Sequence, residues 1–318
     1  MQHNHYKQNR LKQLQAFCHA AQAQSMSKAA EKMFLSQPSI SLLIKALEKD
    51  LGGHLFERRG PSIRLTTEGK MLLNLAMPLV EGIDSLAESF QEQCNNLVTG
   101  SLNIAAGEST TLYLLPDIVS RFAGRYPHIQ VKLHNVPGRE GLALVQKGEV
   151  DFAVGPMLGV PDDIWYSPLI SYEPVLITPL GHPLTAKRRV SLQDISPYSL
   201  IMPPQSMSTR IIIDVVFQQH NIDFKVQMEA GGWEVIKKYV EMALGISIVT
   251  SICLTGNEKL SCIPLTDYFP VRSYGLVLRR GKFISPAARR FIEIMQPDAL
   301  NSFSDNLSNS YSKSAKGY

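Results

Sequence analysis

The spacing of apolar residues changes near Gly100, and this change limits the folds that the chain can adopt. Before Gly100, apolar residues recur every three or four positions, as in Leu11, Leu14 and Phe17, which is typical of amphipathic helices. After it, short apolar runs such as SLNIAAG and DFAVG alternate with helical segments such as LYLLPDIVSRFAGRY. Because strands that alternate with helices favour a parallel sheet flanked by helices, the sequence predicts a helical module followed by an α/β region.

The size and composition of the chain are those of a folded protein with several domains. Its 318 residues exceed one ordinary core, so we expect two or three domains. Hydrophobic residues make up 44% and charged residues 19%, which excludes a largely disordered chain. No apolar run reaches the roughly 18 residues of a membrane span, and the polar start MQHNHYKQNRLKQ lacks the apolar stretch of a secretion signal. We therefore expect a cytoplasmic protein without a membrane partner.

The four cysteines are scattered along the chain, at Cys18, Cys94, Cys253 and Cys262. No pair has CxxC spacing, and no Cys/His group has the spacing of a zinc site. We expect reduced, buried thiols and no metal ion. A redox-sensing pair stays an alternative, because sequence does not show which cysteines approach each other in space.

Positive charge is concentrated at the amino end. Residues 1–70 hold eleven Lys and Arg against five Asp and Glu, a balance of +6 within a chain total of +4. A basic module on a near-neutral body predicts that one end binds a polyanion and that the other has a different task.

The segment SQPSISLLIKALEKDL, residues 36–51, predicts a helix with an apolar and a polar face. We expect Ser27 to cap a short helix before it and Ser36 to cap this one, with Pro38 in the first turn. Two helices joined by so tight a turn are typical of a helix-turn-helix, whose second helix enters the major groove. Leu42 lies in the middle of the polar face. The residues predicted to contact DNA are Ser36, Gln37, Pro38, Ser39, Ser41, Leu42 and Lys45; the alternative is a solvated face of an ordinary three-helix unit.

The next segment, HLFERRGPSIRLT, predicts a small hairpin, or wing, around a Gly60-Pro61 turn. Its arginines suit the minor groove or the phosphate backbone, although exposed charge runs are common without such a role. The wing residues predicted to contact DNA are Arg58, Arg59 and Arg64.

A long helix follows, capped by Thr66 or Thr67 and kinked by Pro78. Its apolar residues step by three or four positions, close to the heptad of a two-stranded coiled coil. The helix has no neighbour in its own small module, so we expect a second copy of the chain to cover this seam. The predicted dimerisation residues are Leu72, Leu75, Leu79, Ile83, Leu86 and Phe90.

Two hydroxyl-rich segments precede predicted helices in the α/β region. GESTT supplies Ser109, Thr110 and Thr111, and QSMSTR supplies Ser206, Ser208 and Thr209. Hydroxyls and free amides at a helix start bind a small anion or carboxylate, or simply cap the helix. The two starts together predict one ligand site if they face each other across a cleft.

Three further residues belong to this prediction. Gly155 and Trp233 are candidate effector-binding residues, and a core position is equally expected for Trp233. Glu108 beside the first segment is unfavourable for a purely anionic ligand, unless it accepts an amine or points away.

Catalytic signatures are missing from the sequence. There is no GxSxG, Walker loop, HExxH or GxGxxG after a strand, and the histidines are isolated from one another. We therefore expect neither an enzyme nor a bound cofactor.

The run SMSKAAEKMFLSQPSISLLIKALEKDLGGHLFERRGPSIRLTTEGKMLL resembles the amino-terminal domain of LysR-type transcriptional regulators. The agreement covers AA, SQPSIS, LE, LG, LFER, LT and EG. The segments GSLNIAAG, RFAGRYP, GEVDFAVG, GHPL and EVIKKYVEMALGISIV resemble the family's effector-binding domain. Together the resemblance runs from about Leu11 to Met295.

The resemblance implies an α-helical winged helix-turn-helix domain with a long linker helix, followed by an α/β effector domain of two subdomains. These subdomains are built like periplasmic-binding proteins (type 2). The expected boundaries are 1–66 for the winged helix-turn-helix, 67–97 for the linker and dimerisation helix, and 98–297 for the effector domain, with a disordered tail at 298–318. Subdomain I would span about 98–168 and 272–297, and subdomain II about 169–271.

The implied function is regulation of transcription. Such a protein binds double-stranded promoter DNA and a small-molecule inducer of unknown identity, forms a homodimer or homotetramer, and has RNA polymerase as a candidate partner. By motif position, Ser109, Thr110 and Thr111 form the first inducer-contacting turn, and Ser208 with Thr209 the second. Leu42 departs from the family, since many members carry a polar or basic residue there. An alternative hypothesis is a solute-binding or carrier protein whose helical amino end serves oligomerisation.

Overall fold

The computed structural model describes residues 10–59, 62–87, 89–90 and 100–303, apart from the side chains of Arg58, Arg59 and Ser62. Three helices open the chain: α1 (Arg10–Ala23), α2 (Met26–Met33) and α3 (Gln37–Leu51). The expected cap of α2 was wrong by two residues, because the Ser25 hydroxyl, not that of Ser27, accepts the hydrogen bond from the Lys28 amide. Ser36 caps α3 as predicted, by accepting from the Ser39 amide at 3.3 Å.

The wing is a two-stranded antiparallel hairpin of β1 (Phe56–Arg59) and β2 (Ser62–Leu65). Leu55 and Ile63 enter the core that α1, α2 and α3 share. The Glu48 carboxylate near the end of α3 accepts hydrogen bonds from the Leu55 and Phe56 amides, at 2.8 and 3.4 Å. These bonds fix the wing against the carboxyl-terminal end of α3.

Helix α4 (Thr67–Asp84) leaves the wing and runs through Pro78. Its cap is Thr66, one of the two predicted candidates, whose hydroxyl accepts from the Gly69 amide at 2.9 Å. Residues 86–87 and 89–90 are also helical. The remainder of the predicted linker helix, with Cys94, lies outside the described residues.

The first α/β unit is a five-stranded sheet in the order β4-β3-β5-β12-β6. Its strands are β3 (Gly100–Ala106), β4 (Ile129–Asn135), β5 (Phe152–Pro156), β6 (Ile164–Tyr172) and β12 (Arg272–Arg279). β3, β4 and β5 are parallel, but β12 is antiparallel to both β5 and β6. The prediction of a parallel sheet therefore holds for β3, β4 and β5 and was wrong for β12, which returns from the second unit in the opposite direction.

Three helices pack on this sheet: α5 (Leu115–Arg125), α6 (Gly138–Lys147) and the late α10 (Pro286–Met295). Residues 299–303 form a further helical turn, in which Ala299, Leu300 and Phe303 are buried in the core of the unit. The prediction of a disordered tail was thus wrong for residues 299–303, since their apolar side chains complete this core. Residues 304–318 lie outside the described part.

The second unit has a three-stranded antiparallel sheet and a parallel strand pair. The sheet is β10-β7-β11, from β7 (Pro174–Pro179), β10 (Ser247–Thr250) and β11 (Leu260–Pro264). The pair is β8 (Ser199–Met202) with β9 (Lys225–Glu229). The helices are α7 (Leu192–Ile195), α8 (Ser208–Gln219) and α9 (Trp233–Glu241). Here too the expectation of one parallel sheet was wrong, because β7 pairs only with antiparallel neighbours.

A buried ionic contact joins α4 to the first unit. The Glu81 carboxylate accepts from the Arg279 guanidinium at 2.8 Å, from the Lys282 ammonium at 3.0 Å and from the Phe283 amide at 3.2 Å. The linker helix is therefore held by the carboxyl end of β12.

The cysteines are only partly as expected. Cys18 and Cys253 are buried, and burial raises the pKa of the Cys18 thiol to about 12. Cys262 is exposed, so the prediction of a buried thiol was wrong there; it lies on β11, at the edge of its sheet. Among the described residues, no helix combines the length and apolar character of a bilayer span.

Candidate nucleic-acid interface and ligand site

The outer face of α3 is open to solvent along its first two turns. Gln37, Pro38 and Lys45 are exposed, and Ser39 and Ser41 are partly exposed. Because the side chains of Ile40, Ile44 and Leu47 are buried on the opposite side, this polar face is free to meet another molecule. The Ser36 hydroxyl is engaged in the cap and with the Ser39 hydroxyl at 2.8 Å.

Leu42 is 67% exposed in the centre of this face. The leucine is therefore not packed under the wing. Apolar contact with a ligand surface, such as a thymine methyl in the major groove, is the role that its position permits.

Arg64 projects from β2 into solvent, and β1 ends at Arg59. Lys45 and Arg64 have no ion-pair partner in the described ranges, so their charges are available to phosphate. A groove of about 700 Å³ runs between α3 and the wing, with Ser41, Lys45 and Phe56 among its lining residues. The helix and the wing therefore line one shared groove, with Lys45 and Lys49 on its helical side.

The first hydroxyl-rich segment opens the helix after β3 in a π-helical turn, Thr110–Leu114. The Thr111 hydroxyl donates to the Gly107 carbonyl at 3.1 Å, and the Ser109 hydroxyl lies 3.4 Å from that of Tyr274. Thr110 is fully buried, and its hydroxyl has no hydrogen-bond partner among the described residues. Gly155 of β5 faces this hydroxyl, since a Cβ on that glycine would lie 3.8 Å from it.

The second segment opens α8, where Ser206 is exposed and Ser208 and Thr209 point inward. The Arg272 guanidinium donates to the Ser208 hydroxyl and to the Thr209 hydroxyl, each at 2.8 Å. Arg272 begins β12, two residues before Tyr274, so the two hydroxyl-rich segments approach the same strand. The structure thus brings Ser109, Ser208 and Thr209 to one region.

Two hydrogen bonds cross between the α/β units at the start of α9. The Glu108 carboxylate accepts from the Trp233 amide at 3.0 Å, and the Tyr113 hydroxyl donates to the Glu234 carboxylate. Glu108 therefore caps α9, which is a favourable place for a negative charge. Of the alternatives considered for Glu108 in the sequence, its carboxylate is directed to a backbone amide of the second unit. Trp233 is 2% exposed in the core of the second unit, and its indole N–H has no partner within the described part.

Burial lowers the pKa of Arg272 from its ordinary value, against the opposing effect of Tyr274. Burial raises the pKa of the Tyr274 hydroxyl, which stays neutral and able to donate. The described residues contain no group of three or more His, Cys, Asp or Glu side chains arranged to hold a metal ion. The arrangement is one of hydroxyls and a guanidinium, which are groups that can form hydrogen bonds with a polar ligand.

Known proteins match both parts of the chain. Residues 11–70 match the family model for bacterial regulatory helix-turn-helix proteins of the lysR family, and residues 95–299 match that for the LysR substrate binding domain. The chain belongs to the LysR family of transcriptional regulators. The predicted resemblance and fold class are confirmed. Members of this family are regulators and not enzymes, as expected.

Individual LysR-family proteins resemble most or part of the chain. A "Probable RuBisCO transcriptional regulator" of Cyanophora paradoxa is 31% identical over 295 residues, covering 89% of this chain and 90% of that protein. Full-length OxyR from Pseudomonas aeruginosa superposes with a TM-score of 0.67 at 23% identity, covering 90% and 92% of the two chains. The CcmR regulatory domain of Synechocystis PCC6803, in complex with 2-PG, gives 0.59 at 23% identity and covers 64% and 99%.

Two residues of the candidate ligand site, Arg272 and Tyr274, were not predicted from the sequence. Both lie far along the chain from their partners, since Arg272 is separated from Thr209 by 63 positions. A basic residue at the start of the apolar strand SYGLVLRR was the available signal. Its partners became visible only in the folded chain.

Proposed function

We propose that this LysR-family regulator binds promoter DNA through α3 and the wing, under the control of a small molecule held between its two α/β subdomains. The main support for this proposal is the pair of contacts made by the two ends of strand β12. Arg272, its first residue, contacts α8 of the second subdomain, and Arg279, its last, contacts Glu81 of the linker helix. One element thus contacts both the ligand site and the linker, so a ligand that favours one subdomain arrangement can shift the placement of the DNA-binding helices.

The exposure of the outer face of α3 supports hydrogen bonds from Gln37, Ser39 and Ser41 to base edges. Leu42 would make an apolar contact with a thymine methyl group. Lys45 and Arg64 have no ion-pair partner in the part of the chain that the structure describes, and their charges suit phosphate. Arg58 and Arg59 complete the proposed wing contacts, on the position of their strand alone.

For assembly, the linker helix supports a homodimer. Its apolar seam is exposed within one copy at Leu75, Leu79, Ile83, Leu86 and Phe90, whereas Leu72 packs on the helical core. An exposed apolar stripe of this length is best covered by a second copy. A homotetramer and contact with RNA polymerase are further proposals for the assembled protein.

The test is binding of the full chain to a duplex from its own promoter region over a range of salt concentrations. Wild type should bind, and Lys45→Ala and Arg64→Ala should weaken binding to all sequences, each lowering the salt slope by about one. Absence of binding, or slopes identical to those of wild type, would contradict the DNA-binding part. Glu31→Gln, at an exposed site on α2, is the matched control.

Ligand control is tested in the same binding experiment by a screen of small metabolites. 2-PG is the first compound to include, because the CcmR regulatory domain binds it. A ligand should change the affinity or the footprint on DNA and raise the melting temperature of the protein. If no compound changes the footprint, the regulatory part fails while DNA binding stands.

A further inference from the structure

We propose that Phe34, in the turn between α2 and α3, is a further DNA-binding residue whose ring packs against a deoxyribose at the rim of the major groove. The proposal rests on the proposed function, since it requires that α3 enters that groove. It adds an apolar contact with the DNA backbone to the charged contacts proposed for Lys45 and Arg64.

Phe34 is the most exposed large apolar side chain among the described residues. Its exposure is 94%, against 67% for Leu42, which comes next. A ring that stays in water does not supply the free energy that burial of a phenylalanine provides. Phe34 therefore does not stabilise the core that α1, α2 and α3 share.

The backbone of Phe34 is also unfavourable for a bulky side chain. Its φ of 54° and ψ of 41° are those of the left-handed region. The Leu35 amide donates to the Ala30 carbonyl at 2.9 Å, a bond that closes the end of α2 around this left-handed residue. Glycine is the usual residue at such a helix end, and any side chain with a Cβ costs free energy there.

Other left-handed positions of the described chain carry smaller or more tolerant side chains. Three non-glycine residues besides Phe34 have a positive φ, and none of them is aromatic: Gln24, Asn221 and Ala243. Asparagine tolerates this conformation, whereas a bulky residue in it is an outlier. Since neither the core nor the backbone favours a phenylalanine at position 34, we infer that its ring contacts another molecule.

The position of Phe34 favours DNA as that molecule. Gln37, the first residue of α3, follows three positions later, so the two Cα atoms are at most about 11 Å apart. The major groove is about 12 Å wide, and its rims are formed by the sugars and phosphates of the two strands. When Gln37 reaches a base edge, Phe34 therefore lies within reach of the nearer rim. The C–H face of a deoxyribose is the apolar surface available there.

The size of the apolar surface argues against a protein partner. In the turn, Phe34 is joined only by Leu35, which is 40% exposed. A stable protein interface buries about 800 Å² on each partner around an apolar core, which one ring and part of a leucine do not supply. A DNA complex needs no such patch, because contacts with phosphate supply most of its affinity.

The experiment measures binding of the full chain to its promoter duplex over a range of salt concentrations. Phe34→Asn removes the ring and suits the left-handed backbone. It should weaken binding about tenfold at every salt concentration, since about half of a buried ring contributes that much, and should leave the salt slope unchanged because no phosphate contact is lost. Phe34→Tyr keeps the ring and should bind as wild type does.

Hydroxyl-radical footprinting tests the sugar contact directly, because the radical attacks solvent-exposed deoxyribose. Wild type should protect a sugar at the groove rim in each half-site, and Phe34→Asn should lose this protection while the rest of the footprint stays. Phe34→Tyr should retain it.

Melting curves separate this role from a structural one. Phe34→Asn should raise the melting temperature by a few degrees, because it relieves the left-handed strain and removes an exposed ring, so weaker binding would not reflect unfolding. Ala243→Asn is the matched control, since Ala243 is exposed and left-handed in the second α/β unit. It should also raise the melting temperature, and it should leave DNA affinity unchanged.

Wild-type affinity or unchanged sugar protection in Phe34→Asn overturns the proposal, and the proposed function stands if Lys45→Ala still lowers the salt slope. Normal DNA binding with lost transcription activation in Phe34→Asn would also overturn it, and would assign the ring to RNA polymerase. If wild type binds no duplex, the proposed function fails together with this inference.

Discussion

At the scale of single residues, Leu42 is the position at which we expect the base preference of this protein to differ from that of related regulators. It stands 67% exposed among serines and a lysine on the outer face of α3. A leucine in the major groove can contact a thymine methyl but cannot accept or donate a hydrogen bond. If α3 enters the major groove as proposed, Leu42 would favour one base by shape rather than by polar pairing.

The prediction for this residue is a change of preference at one base pair. Leu42→Arg should shift preference toward guanine at a single half-site position, by about 1–3 kcal/mol, because arginine pairs with guanine through two hydrogen bonds. Selection from a randomised duplex library measures the preference. Leu42→Ala, which keeps a methyl group, is the control, and an unchanged preference with unchanged affinity in Leu42→Arg would exclude the contact.

At the scale of elements, helix α4 has two apolar sides with different surroundings. Ala76, Met77 and Val80 are buried against the helical core, whereas Leu75 and Leu79 are exposed. The two sets lie on different faces of one helix, so the exposed set can be altered without disturbing the domain core.

The prediction for α4 concerns assembly. Leu79→Asp should convert the dimer to monomer at micromolar concentration, because a carboxylate in a coiled-coil seam loses its hydration when the second helix docks. Sedimentation velocity gives the mass. Asn74→Asp adds the same charge at another exposed position of α4 and should leave the dimer intact. A dimeric Leu79→Asp protein would place the interface elsewhere.

At the scale of the whole molecule, Glu81 connects the linker helix to the effector domain through three hydrogen bonds. Removing its charge leaves the buried Arg279 without a carboxylate. The DNA-binding module would then be held to the first α/β unit by weaker contacts, and the two parts would move more independently.

The prediction is that Glu81→Gln lowers the free energy of unfolding by about 1–3 kcal/mol and weakens the effect of ligand on the DNA footprint. Urea denaturation and footprinting measure the two effects. Glu149→Gln, at an exposed site after α6, should change neither. A Glu81→Gln protein with normal stability and a normal ligand response would show that this contact is dispensable.

Sequence reasoning worked best where the interaction is local. Ser36 was predicted as a cap and Thr66 as one of two candidates, because a cap needs only its own helix start, although the cap of α2 was misplaced by two residues. The buried stripe of α3 followed from helical periodicity alone. It failed where distant segments meet. Strand β6 was missed because Pro168 and several polar residues interrupt its apolar pattern, and its pairing partner β12 lies about 100 positions away. The candidate ligand site was predicted only in part for the same reason. Its hydroxyls were predicted because they lie at helix starts, whereas Arg272 reaches them only because β12 returns to the first unit.

The length of β12 limits where insertions and deletions can occur in this protein. Arg272 and Arg279 stand seven positions apart on a strand, which fixes about 23 Å between them, and Gly275 sits so close to β6 that an added Cβ would lie 2.2 Å from the Ser167 carbonyl oxygen. After an insertion or deletion inside this strand, Arg272 and Arg279 could no longer both reach their partners, whichever residues were added or removed. Loops elsewhere can lengthen freely, so natural length differences among close homologues of this protein should spare residues 272–279.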